Sequence, residues 1–94
     1  MYSVFMPTGS KEQPDEFNEA LMKVVRAKMG IMQLNIADLA RAVDIPRSTL
    51  SRIVNNKRQP DLNQIRHIAI ALNLPMAQLM QAAEDVLAGK DPFT

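Results

Sequence analysis

Between residues 36 and 55 two short apolar patterns stand almost end to end, the pattern of two short helices joined by a tight turn. In the first, Ile36, Leu39, Ala40 and Val43 recur at three- and four-residue spacing, which marks one face of a helix. In the second, Leu50 and Ile53, with Val54 beside them, form an apolar edge opposite Arg47, Ser48, Ser51, Arg52 and Asn55. Asn35 is the expected N-cap of the first helix, and Asp38, three residues on, can return the bond as in a capping box. This helix is about two turns long and stops near Asp44. Ile45 is expected to be buried, and Pro46 opens the next helix, where its missing N–H costs nothing. That helix runs from Pro46 or Arg47 to Asn55. A steep crossing requires a small residue at the closest approach, and Ala40 fills that role. The turn requires a residue that tolerates positive φ, normally Gly; Asp44 stands there, one of the few other types that visit the region. Leu39, Val43, Ile45, Leu50 and Ile53 supply the core-facing positions.

The remaining sequence reads as helices packed around this pair. A helix begins near Asp15, with Asp15, Glu16 and Glu19 at its positive end. Phe17, Leu21, Val24, Val25 and Met29 form its buried stripe, with Lys23, Arg26 and Lys28 toward the other end. It ends near Gly30 or extends through Ile31 and Met32. A fourth helix is capped by Asp61 and carries Leu62, Ile65, Ile68, Ala69 and Leu72, until Asn73-Leu74-Pro75 breaks it. A fifth carries Met76, Leu79, Met80, Ala83, Val86 and Leu87 and ends at Gly89. Residues 1–14 read as an N-terminal arm or linker, within which Val4-Phe5-Met6 could be a short strand or a sticky segment. Residues 90–94 read as a C-terminal tail. The expected fold is therefore all-α, a compact five-helix bundle over residues 15–89.

Composition narrows the chemistry. The chain has 94 residues, the length of one domain, and its four aromatic residues (three Phe, one Tyr) leave an aliphatic core that includes seven Met. Its lack of cysteine removes disulfides, a thiolate nucleophile and a Cys-based zinc site, and is compatible with a reducing cytoplasm. His67 has no second His or paired carboxylate at ligand spacing and is read as structural. No nucleophile elbow, phosphate loop or HExxH motif is present, so neither an enzyme nor a cofactor is expected, and no small-molecule ligand is evident. No apolar run reaches the roughly 20 residues of a membrane helix, and Met1 to Pro7 do not read as a secretory signal. Net charge is only +1, but Arg41, Arg47, Arg52, Lys57 and Arg58 against Asp44 give residues 41–58 a local charge of +4. Charge alone leaves a solvated face and a nucleic-acid-binding face equally open.

The stretch Asn35-Ile-Ala-Asp-Leu-Ala-Arg-Ala-Val-Asp-Ile-Pro-Arg-Ser-Thr-Leu-Ser-Arg-Ile-Val-Asn-Asn-Lys-Arg-Gln-Pro60 resembles the lambda-repressor-like (Cro/C1, XRE) helix-turn-helix family, and Leu62 to Leu74 resembles that family's fourth helix. The resemblance spans about residues 16–80. It implies a helix-turn-helix unit at about 36–55 whose second helix enters the major groove of double-stranded DNA. By matching position, Arg47, Ser48, Thr49 and Arg52 are the implied base contacts, and Arg can donate twice to guanine O6 and N7. Asn55, Lys57 and Arg58 are the implied phosphate contacts, joined by the backbone N–H groups of Ile36 and Ala37 at a helix N-terminus. Three positions depart from the family pattern. Asp44 replaces the usual turn Gly and is expected to bring negative charge near DNA. Asn56 replaces the Gly that often follows the second helix, and Ile36 stands where a Gln or Ser often contacts phosphate.

The resemblance implies a cytoplasmic transcriptional regulator, a phage- or prophage-type repressor binding a palindromic operator as a homodimer. The fifth helix and tail, or the Tyr2–Met6 arm, are the candidate dimer surfaces. Met76, Met80 and Leu87 either fill the core or form an apolar patch for a partner subunit. A second reading is a protein-binding module, such as an antitoxin, that neutralises a toxin or answers to an antirepressor, with DNA binding secondary. A third is a descendant of the fold that no longer binds DNA; Arg47, Ser48 and Arg52 argue against it.

Overall fold

The computed structural model describes residues 15–93. Five helices follow in order: α1 (Glu16–Met32), α2 (Ile36–Val43), α3 (Arg47–Val54), α4 (Leu62–Ala71) and α5 (Met76–Leu87). Among the described residues there is no strand. The long α1 lies mainly against α5 and also touches α3, while α2 packs on α3 and α4, and α4 on α5. One continuous core results, built from Leu21, Met22, Val24, Val25, Leu39, Leu50, Ile53, Ile68, Leu72 and Leu79 with smaller residues between them.

The helix starts follow the local chemistry. Asp15 caps α1 by accepting from the Asn18 N–H at 2.8 Å. Asn35 and Asp38 form a reciprocal capping box on α2, and Asp61 and Gln64 form a second on α4. Pro46 and Pro75 sit at the N-cap positions of α3 and α5, just outside the helices rather than in their first turns.

The helix ends share one device. Gln33, Asp44, Asn56 and Asn73 all have φ between 56° and 60°, and each terminates or immediately follows one of the first four helices. A left-handed residue lets the next N–H groups turn back onto carbonyls that the helix leaves unpaired. Accordingly Leu34 N–H donates to Met29 C=O, Lys57 N–H to Arg52 C=O and Leu74 N–H to Ala69 C=O, at 2.8 to 2.9 Å. Gly89, at φ 81°, does the same after α5.

Of the two ends offered for α1 the helix takes the later: it continues through Met32, because the left-handed residue is Gln33, and Gly30 lies inside the helix. One expectation needs correction. Leu62 does not join the α4 core face and is 71% exposed. Along α4 the buried face is carried by half-buried Ile65 and buried Ile68 and Ala69, with buried Leu72 just past its end. Residues 90–93, within the segment read as a C-terminal tail, make contacts with the helices. Lys90 N–H donates to Asp85 C=O, Phe93 packs against the core, and its ring centroid lies 5.9 Å from Lys28 Nζ, within cation–π range. On α5, Met76 and Met80 pack half-buried against the core, whereas Leu87 is exposed. The arm expected at residues 1–14 lies outside the described residues.

Candidate nucleic-acid interface

Helix α3 is a two-turn helix with two unlike sides. Leu50, Ile53 and Val54 are buried, which anchors the helix on the core. Arg47, Ser48, Arg52 and Asn55 are exposed, while Thr49 and Ser51 are half-buried at the margins. A polar side rich in Arg and Ser therefore faces outward from a helix whose apolar edge is buried in the core. Ala40, Val43, Ile45 and Leu39 are all buried beneath the α2–α3 pair, and Asp44 takes the left-handed conformation between them at φ 57°.

The electrostatics of this face depend on which cations are free. Arg41 is not: its Nη2 lies 2.6 Å from Asp38 Oδ1, one turn back on α2. Among the described residues, none of Arg47, Arg52, Lys57 and Arg58 forms an ion pair. Four unneutralised cations thus lie on α3 and the loop directly after it, a concentration that attracts a polyanion.

The backbone adds donors at two places. At the start of α2 the Asp38 N–H is taken by the Asn35 side chain, and Leu39 N–H bonds to Asn35 C=O. The N–H groups of Ile36 and Ala37 precede the first intrahelical bond and have no acceptor within the helix. At the other end of the site, the N–H groups of Asn56 and Lys57 are consumed by Ile53 and Arg52 carbonyls, so Lys57 has only its side chain to offer a phosphate. Asn55 is partly occupied as well, because its Nδ2 donates to Ser51 C=O at 2.9 Å.

Asp44 lines a cleft of about 300 Å³ with Ala42, Val43, His67, Ile70 and Ala71. Asp44 thus shares a cleft with residues of α2 and α4, a placement that sequence spacing alone could not give.

Sequence reasoning passed over two residues that support the site from behind. Asn18 is the one buried polar residue among those described, 3% exposed, and its Nδ2 donates to Asn56 Oδ1 at 2.6 Å. Arg26 Nη1 donates to Val54 C=O, the last carbonyl of α3, also at 2.6 Å. Asn18 lies in register with Leu21 and Val25, three and seven residues on, so a polar residue in the apolar stripe was a readable signal. Nothing local marks Arg26.

Two short helices joined through a left-handed residue, the second exposing arginines and serines over a buried apolar edge, define a helix-turn-helix DNA-binding domain. The comparison of sequences agrees: a family model described as the Cro/C1-type HTH DNA-binding domain matches residues 22–85, most of the chain, and the chain belongs to that family. No curated protein and no solved structure matches it. Among the described residues no helix is long and apolar enough to cross a membrane, and no cluster of His, Asp and Glu could hold a metal ion.

Proposed function

We propose that this protein is a sequence-specific transcriptional regulator of the cytoplasm, a phage- or prophage-type repressor that binds a palindromic operator as a homodimer. Residues 15–89 are its DNA-binding domain in this reading. The observation that carries it is the pair of exposed arginines Arg47 and Arg52, without an ion pair among the described residues, on a helix whose opposite side is buried. With α3 in the major groove, Arg47 and Ser48 meet base edges first, Arg52 follows one turn later, and Thr49 contributes from the margin. Lys57 and Arg58 contact phosphates on one flank, with Asn55 through its remaining amide proton. The Ile36 and Ala37 N–H groups contact a phosphate on the other flank. These flanking contacts fix the register and the arginines read the sequence. Two copies would set their α3 helices about 34 Å apart, one turn of DNA.

The test is selection of bound sequences from a random duplex pool, with an Arg47→Ala, Arg52→Ala variant in parallel. Enrichment of a palindrome by the native chain but not by the variant is the expected result. Weak retention, equal for both proteins and with no sequence enriched, would overturn the reading and leave a protein partner, such as a toxin, as the object of search.

A further inference from the structure

We infer that Asn18 and Asn56 form a positioning pair for DNA binding: the bond between their side chains ties α1 to the turn that presents Lys57 and Arg58 to the phosphate backbone. The inference rests on the DNA-binding reading above and adds to it a residue of α1 that never approaches DNA.

The argument starts from the weakness of α3. It has eight residues and no side-chain cap at its N-terminus. At its C-terminus the chain must leave the helix, turn and carry two free cations into place. Backbone bonds from Asn56 and Lys57 close the turn but do not tie it to the rest of the molecule. Residues Asn55, Lys57, Arg58 and Gln59 are exposed, so apolar packing does not fix them either, until Pro60 is buried again. What ties the turn down is polar. Asn18 Nδ2 reaches across 38 positions of sequence to Asn56 Oδ1, and Arg26 Nη1 holds Val54 C=O just before it.

The Asn18–Asn56 bond is costly to make by chance. Asn18 sits in a core otherwise apolar, where an amide without a partner is strongly disfavoured. Among the described residues, no buried side-chain polar atom is left without a partner. Asn56 stands at φ 60°, where Gly would serve the backbone at least as well, so its side chain is the feature that Asn brings to the position. Together, a buried amide on α1 and a left-handed Asn at the end of α3 make a link that Gly could not make.

Asn56→Gly separates the two roles of the residue, since it keeps the left-handed turn and deletes only the link. The full chain and this variant are compared for binding to a mixed-sequence 40-base-pair duplex over a range of salt. Circular dichroism confirms the fold, and hydrogen exchange follows the Asn18 side-chain amide and the backbone of residues 55–59. The variant should stay folded, bind about five-fold more weakly at moderate salt, and show a salt slope shallower by about one to two, as phosphate contacts at Lys57 and Arg58 loosen. Exchange should rise at the Asn18 amide and in the loop. Asn18→Ala should reproduce the shallower slope, and the double variant should lose little more than either single one. Native and Asn56→Gly chains with the same affinity and slope would overturn the pair while leaving the DNA reading intact. A native chain that fails to retain the duplex would overturn both.

Discussion

Arg47 and Lys57 are both exposed cations that form no ion pair among the described residues, yet the proposed interface gives them different work, and single substitutions can tell them apart. Arg47 lies at the first position of α3, where a bidentate pair with guanine is worth about 1–3 kcal/mol of discrimination. Arg47→Ala should therefore relax preference at one base pair of each half-site, read as a change in the selected sequence. Lys57→Ala should weaken binding to every sequence alike and lower the salt slope by about 1, read by titration at several salt concentrations. Gly30 offers a test of stability at the same scale. It lies within α1, at the exposed surface, with nothing within 4 Å of an added Cβ. Gly30→Ala should stabilise the domain by about 0.5–1 kcal/mol in chemical denaturation, because the glycine loses more backbone freedom on folding.

Helices α2 and α3 are too short to persist alone, so their ends matter as much as their faces. Asn35 caps α2 and accepts from the Asp38 N–H, which exposes the Ile36 and Ala37 N–H groups in a fixed orientation. Asn35→Ala should cost about 1 kcal/mol of stability by denaturation and also weaken DNA binding beyond that loss, since the same turn is the proposed phosphate site. The caps were legible because they are local: Asn35 with Asp38 lies within one turn, and Asp44 and Asn56 are residue types that tolerate positive φ. The end of α1 was less legible. The pattern leaves two ends open, Gly30 or an extension through Met32, and a left-handed Gln33 selects the second, supported by bonds to Gly30 and Met29 that sequence spacing does not advertise. Leu62 was also illegible: its position repeats the α4 apolar period, yet no neighbouring element covers it and it stays exposed.

At the scale of the molecule, the side chains of the proposed DNA-reading face depend on a small core directly under α3. Leu50 contributes a fully buried side chain to it, and Leu50→Ala should cost about 2–5 kcal/mol, a large share of the stability of a domain this size. The thermal midpoint should fall sharply, while duplex affinity of the remaining folded fraction should change little. The sequence by itself determined the all-α architecture, the helix-turn-helix unit and the charged side of α3, because three- and four-residue periodicity, caps and turn residues act within a few positions of one another. Only the tertiary structure decided which cations are free, that Asp44 borders the α4 cleft with His67, that Phe93 folds back beside Lys28, and that Asn18 and Arg26 hold the end of α3. Those outcomes turn on contacts between residues as much as 65 positions apart, as with Lys28 and Phe93, and such distances are set by how the helices pack rather than by any local pattern.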